Sequence, residues 1–286
     1  MLGIGDLGWA CRNFHCRCAR DTTTLVVVTP DLGEYYVRET SEDARLTRSA
    51  HGKLEFLRTQ ELVRRAVTGT RMRVLDVGGG TGVHARWLAA EGHSVHVVDP
   101  VASHVEAAAA IAGVTAELGD ARNLTCPDDA ADVVLLLGPL YHLIDRDDRA
   151  QALAEARRVL RPGGMLFAAA ISRYLPVLET GTTGRLTGQM SPSVEAVIAT
   201  GRYDGHLGFV SAHFHTADEL RDELHAAGIQ DVSVYGVEGP AWPALDVAGV
   251  QEFDARLDAA LRCARMVEED PLLINASAHF LAIARL

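Results

Sequence analysis

A chain of 286 residues with 48% hydrophobic content can bury one sizeable core and carry a small appended cap or lid. Its formal charge of −11 and lack of a basic cluster disfavour a nucleic-acid partner, because phosphate backbones require concentrated Lys and Arg. No apolar run approaches the roughly 18 residues that cross a bilayer, so no membrane partner is expected.

Residues 1 to about 33 lack helical or strand periodicity apart from the short apolar run Leu25–Val28, and are expected to be a poorly ordered leader. Cys11, His15, Cys16 and Cys18 crowd into it. A C-x-C pair beside a lone C-x4-C lacks a second ligand pair at zinc spacing, so free thiols and no metal are expected. The odd total of five cysteines and the absence of an export signal point to a reducing cytoplasm.

From Tyr35 and Tyr36 the pattern turns helical, and Leu54, Leu57, Glu61, Leu62 and Arg65 follow helical spacing, so residues 34–70 are expected to form a helical cap. An αβ alternation then runs through 71–286. Strands are expected at Arg73–Val77, Ser94–Val98, Val114–Leu118, Val133–Leu137 and Met165–Ile171. Helices are expected at Val83–Glu91, Ser103–Ala112 and Asp147–Leu160, the last stopped by Arg161-Pro162-Gly163-Gly164. Near-continuous apolar strands alternating with helices imply a parallel sheet covered on both faces.

Beyond it, residues 172–212 are rich in Gly, Ser, Thr and Pro and carry one short helical pattern at Ser193–Thr200. A helix at Thr216–Ala227 opens with a capping box, Thr216 and Glu219. A strand at Val232–Val237, a helix within Asp246–Glu268 and a strand at Ala278–Ala284 complete the chain.

The densest signal is Val74-Leu75-Asp76-Val77-Gly78-Gly79-Gly80-Thr81-Gly82, a buried strand entering a G-x-G-x-G turn that opens a helix. Such a turn lets a ligand approach the backbone, and the helix start beyond it offers unpaired N–H groups. A dinucleotide fingerprint would need glycine at Val83, which argues against a nicotinamide or flavin oxidoreductase.

The turn with its flanks resembles motif I of the class I S-adenosylmethionine-dependent methyltransferases. The resemblance implies a doubly wound, mostly parallel seven-stranded Rossmann-like sheet. Its last two strands would form an antiparallel hairpin, and the inserts 172–212 and 239–275 a substrate lid. It further implies S-adenosylmethionine as cofactor, with Gly78, Gly80 and Gly82 under the methionyl and ribose portion. Asp76 would face the cationic amino group. Asp99, 23 residues on, would take the ribose hydroxyls, and Pro100 with Val101 would flank the adenine. Asp120, with Ala121, would accept from the adenine amino group.

Gly138-Pro139-Leu140-Tyr141-His142 falls at the family's motif IV, near the sulfonium. It departs from the Asn-Pro-Pro-Tyr or Asp-Pro-Pro-Tyr of nucleic-acid amino methyltransferases. Tyr141 and His142 would face the acceptor. His142 reads either as a general base, on the strength of an ordinary imidazole pKa, or as a histidine packed on the following helix. The lid holds further candidates in Tyr203, His206, His213 and His215. The two last share one face of an extended stretch, with no carboxylate at a recognisable ligand spacing. Tyr35 and Tyr36 read equally as a closure over the cofactor and as core.

The expected activity is methyl transfer to an O, N or C atom of a small-molecule acceptor. Arginine-dominated basic usage, with Lys53 the single lysine, points to GC-rich bacterial coding; with the acidity and the long lid it associates the chain with bacterial specialised metabolism. The alternative is a protein of the same fold that binds S-adenosylmethionine without methylating, cyclase-like or regulatory. A homo-oligomer is compatible with the sequence and not specified by it.

Overall fold

The computed structural model describes Leu46 and residues 49–205, 210–245 and 253–286. The expected leader, Tyr35, Tyr36 and His206 lie outside the described residues, as does most of the cap before residue 49.

Helix α1, Ala50–Ala66, starts at Ser49, whose hydroxyl accepts from the Gly52 N–H. The sheet then builds through β1 (Arg73–Val77), α2 (Val83–Ala90), β2 (Ser94–Asp99), α3 (Ala102–Ala109) and β3 (Val114–Leu118). It continues with β4 (Ala131–Leu136), a single turn α4 (Pro139–His142), α5 (Arg146–Val159) and β5 (Leu160–Ile171). After two helices of the first insert, α6 (Leu175–Thr182) and α7 (Ser191–Thr200), come the short strands β6 (Arg202–Tyr203) and β7 (Ala212–His213). Helix α8 (Ala217–Ala226), β8 (Asp231–Gly236), α9 (Phe253–Val267) and β9 (His279–Arg285) complete the chain.

Seven strands form one sheet in the order β3-β2-β1-β4-β5-β9-β8. The first five are parallel, and β9 runs antiparallel to both β5 and β8. Alternation along the strands feeds two apolar layers. Leu75, Val134 and Leu136 pack with Leu153, Ala156, Leu220 and Leu224 from α5 and α8. Val74, Val133 and Leu135 pack with Leu62, Val63, Ala85, Leu88 and Ala108 from α1, α2 and α3. The sheet is therefore doubly wound, as the apolar strands imply. Among the described residues no helix is long and apolar enough to cross a membrane.

Two expectations need correcting. Strand β5 begins at Leu160 rather than Met165, because Leu160 already pairs with Ala131 before a register shift absorbs the Pro162-Gly163-Gly164 turn. The first insert holds two helices, not one. In α6 a proline in the opening turn sets the helical φ, and Leu175 and Leu178 pack against the cluster around Leu54 and Trp242. The capping box of α8 forms as expected, with Thr216 and Glu219 each accepting from the other's backbone N–H.

Candidate functional site

The carboxyl ends of β1 to β4 converge on a cavity of about 440 Å³, within the range of small-molecule sites. Asp76, Gly78, Gly80, Asp99, Pro100, Asp120, Ala121, Gly138, Tyr141 and His142 all line it. Gly82 does not. A Cβ there would meet Ile111 Cδ1 at 2.6 Å, so this glycine serves the packing of α2 on α3, at a φ of +84°. Gly80 is its opposite: φ is +57° and no atom lies within 4 Å of where a Cβ would stand. The turn is thus bare at Gly80, whereas a Cβ at Gly78 would meet Pro139 and one at Gly79 would meet Asp76.

Asp99 ties the turn to β2. Its Oδ2 accepts from the Gly80 N–H at 2.9 Å, and its Oδ1 accepts from the Val101 N–H at 2.9 Å and lies 3.1 Å from His104 Nδ1. Asp76 lacks that support. It is 1% exposed, and its Oδ2 has no hydrogen-bond partner among the described residues. Burial, with the nearby Asp99 charge adding to it, pushes the Asp76 carboxyl up to about 7. Two acids at neighbouring strand tips therefore differ in kind: both Asp99 oxygens have partners, and the Asp76 Oδ2 has none among the described residues.

Asp120 is held by Arg122, whose backbone N–H and guanidinium both donate to it, while the same guanidinium reaches Asp148 at 2.9 Å. Burial alone would raise the Asp120 carboxyl, but Arg122 outweighs it and keeps the group below the ordinary carboxylate range.

Tyr141 and His142 leave β4 on the turn α4, their rings 4.6 Å apart. Tyr141 also packs on the insert cluster of Ile171, Val197, Tyr203, Ala212 and Phe214. For His142 the premise of an ordinary imidazole needs correcting: burial draws its pKa down to about 4, and the Asp99 charge only partly offsets this. It is a neutral imidazole throughout the physiological range.

Of the lid candidates, Tyr203, His213 and His215 do not line the cavity. Tyr203 stacks on Phe214 at 5.0 Å within the insert's own core. His213 and His215 share a face, as the alternation implies, with ring centroids 4.5 Å apart. A carboxylate at no recognisable ligand spacing joins them in space: Glu223 of α8 lies 3.2 Å from His215 Nε2, a hydrogen bond within the fold. Arg149 grips that carboxylate through Nε and Nη2. Burial would raise Glu223, but His215 and Arg149 hold it down to about 2.

Sequence reasoning missed one wall entirely. Glu55 and Thr59 of α1 and His279 of β9 line the cavity. Behind them the fully buried Glu238 accepts from His279 Nδ1 at 2.6 Å, from the Ser277 hydroxyl at 2.8 Å and from the His279 N–H at 2.9 Å. Burial would raise its carboxyl, yet His279 and His51 hold it well below the ordinary range. The only local hint was the i, i+4 pair His51 and Glu55 on a predicted helix; β9 had to be threaded beside β5 to bring His279 there.

Residues 74–164 match the family model described as a methyltransferase domain. The chain is 30% identical over 175 residues to a ubiquinone/menaquinone biosynthesis C-methyltransferase of Acidiphilium cryptum, covering 58% of this chain and 69% of that protein. It is 32% identical over 159 residues to the 27-O-demethylrifamycin SV methyltransferase of Amycolatopsis mediterranei, covering 52% of this chain and 56% of that one. Apart from the Acidiphilium cryptum protein, the chain spans 37–56% of the length of the curated relatives it matches here. A solved S-adenosylmethionine-dependent methyltransferase from Mesorhizobium loti shares the fold at a TM-score of 0.54 and 20% identity, over 82% of this chain and 100% of that one. With the glycine turn, the acids at the strand tips and the 3-2-1-4-5-9-8 sheet, these likenesses converge: the chain belongs to the class I S-adenosylmethionine-dependent methyltransferases.

Proposed function

We propose that the cavity holds S-adenosylmethionine along the tips of β1 to β3 and delivers its methyl group to a small-molecule acceptor lodged between Tyr141, His142 and the wall formed by α1 and β9. The observation that carries this is Asp76, a buried carboxyl with an unpartnered oxygen among the described residues, next to a glycine turn whose Gly80 is open. A cationic amino group is the partner such a carboxyl lacks, and the cavity beside it is of ligand size, so the residues present fit the cofactor. When bound, the cofactor supplies an electrophilic methyl on a cationic sulfur, and rate then comes mainly from alignment.

In this reading Asp76 binds the amino group and Gly78–Gly80 lets the methionyl and ribose portion lie against the backbone. Asp99 keeps lone pairs for the ribose while fixing Gly80. Pro100 and Ala121 border the adenine, and Asp120, braced by Arg122, accepts its amino group. Gly138 borders the sulfonium. His142, neutral because it is buried, accepts the proton of a hydroxyl or amine acceptor. The inserts 172–212 and 239–275 form the lid. The first contributes Val210 and Ser211 to the cavity, and the second braces α1 through Trp242, Leu257 and Ala260.

The acceptor is a small molecule of bacterial specialised metabolism, methylated in the cytoplasm at O, N or C. What supports the class is the ligand-sized cavity, a net charge of −11 and relatives whose names concern quinone and rifamycin methylation. The test incubates the protein with S-adenosylmethionine and a panel of phenolic, amine and polyketide-like acceptors, reading methylated product and S-adenosylhomocysteine by mass spectrometry. Product on a small acceptor, abolished in Asp99→Ala, is expected. Turnover confined to nucleic acid or protein would overturn the acceptor class, and tight cofactor binding without product on any acceptor would favour the non-methylating reading.

A further inference from the structure

We infer that His51, Glu55, Glu238 and His279 form a binding site for one divalent transition-metal ion in the wall of the cofactor cavity. One ligand atom from each lies within 4.8 Å of the others, close to the dimensions of a coordination sphere with bonds of about 2.0–2.2 Å. The four residues come from three separate parts of the fold. His51 and Glu55 stand one turn apart on α1 and so share a face, Glu238 follows β8, and His279 opens β9. Two imidazoles and two carboxylates are the donor set of zinc, manganese, iron and cobalt sites.

The support behind the ligands is what a metal site needs. Ser277 Oγ donates to Glu238 Oε2 and itself accepts from the backbone N–H groups of Glu238 and Gly239 at 2.8 and 3.2 Å. The His279 N–H also donates to Oε2. That oxygen is thereby fixed by the fold, and Oε1 is turned toward His279 Nδ1 at 2.6 Å and His51 Nε2 at 3.4 Å. Trp242, anchored to the Ala276 carbonyl, lies 4.6 Å from the His51 ring. A single proton between Glu238 and His279 accounts for the shortest of these contacts. It does not account for the convergence of His51 and Glu55 on the same point.

A second cluster, His213, His215 and Glu223, is equally compact. There the positive charge is already present, because the Arg149 guanidinium occupies the Glu223 carboxylate. The partners of Glu238 given above are a hydroxyl, a backbone amide and imidazoles, with no guanidinium among them. Glu55 and His279 border the cavity, so the ion would be reached from it, and an acceptor oxygen (a hydroxyl, enol or carboxylate) is the natural further ligand. That use rests on the function proposed above; the site itself does not.

The test takes tag-free, chelator-treated full chain and titrates it with Co²⁺ as a spectroscopic probe and Zn²⁺ by calorimetry. One equivalent is expected to bind with visible d–d bands, at least ~10-fold more weakly in Glu55→Gln and in His279→Asn, and unchanged in His213→Asn. Glu55→Gln and His51→Asn keep the test open should His279→Asn fail to fold. Uptake below one equivalent, uptake indifferent to Glu55→Gln and His279→Asn, loss in His213→Asn, or a sulfur-to-cobalt band from the cysteines at 11, 16 and 18 would each overturn the assignment. S-Adenosylhomocysteine binding, measured on the same samples, separates the two readings. Its absence beside intact cobalt uptake counts against the cofactor site alone, and the reverse counts against the metal site alone.

Discussion

Replacing Asp76 by Asn should stabilise the empty protein and weaken its hold on cofactor, both in a pH-dependent way. Burial and the Asp99 charge move the Asp76 carboxyl from 3.8 to about 7. Between those values the native state keeps a proton that the unfolded chain releases, so native binds more protons and stability falls as pH rises through the window. Three pH units at 1.36 kcal/mol each make the full cost on the order of 4 kcal/mol above pH 7. It is an upper bound, because the amide of the variant is itself polar and buried. Urea unfolding should therefore show Asp76→Asn gaining on the parent from pH 4 to pH 8, other titrating groups cancelling in the difference. Binding runs the opposite way. An ammonium pairs with ionised Asp76, so parental affinity for S-adenosylhomocysteine should rise about tenfold per pH unit up to ~7 and then level. In Asp76→Asn it should be weaker at pH 8 and flat below. Equal unfolding free energies at pH 8, or a parental affinity that is flat from pH 5.5 to 8, would refute the reasoning.

Two further outcomes follow from the same geometry. His142→Ala should slow turnover by about 10²–10⁴-fold with cofactor affinity within twofold, and the parent should show no His142 inflection between pH 5 and 8, because burial keeps that imidazole neutral down to about 4. Unchanged turnover on a hydroxyl or amine acceptor would remove the base assignment. Gly82→Ala should cost about 1–3 kcal/mol in chemical denaturation, since its Cβ would stand 2.6 Å from Ile111 Cδ1 at a φ of +84°. A neutral result would mean that α2 and α3 separate more easily than their packing implies.

Much of this architecture was legible because its signals are local. Strands β1 and β3 lie where their apolar runs end against Gly and Asp, and the helix α8 begins at the Thr216 and Glu219 pair that caps it. The acids at 76, 99 and 120 are likewise found by asking which carboxylate closes each strand. The glycine turn shows where such reading stops. Spacing marks Gly80 and Gly82 alike, and only coordinates reveal that one is bare for a ligand and the other is filled by Ile111.

The far wall of the cavity was illegible for a topological reason. Glu238 and His279 stand 41 positions apart, and His51 a further 187 before Glu238. No ligand-spacing rule reaches across such gaps. The antiparallel insertion of β9 between β5 and β8 sets His279 opposite Ile171, at the edge where the parallel strands end. It also brings the chain leaving β8 alongside, so that Glu238 meets His279 behind α1. A parallel sheet alone would present only the loops after β1 to β5 to a ligand; the reversed strand adds the start of an element to a site otherwise made from ends. The wall between α1 and β9 is accordingly a property of the sheet order, and under the proposed function its chemistry should respond to Glu55, Glu238 and His279 in ways that the glycine turn does not foretell.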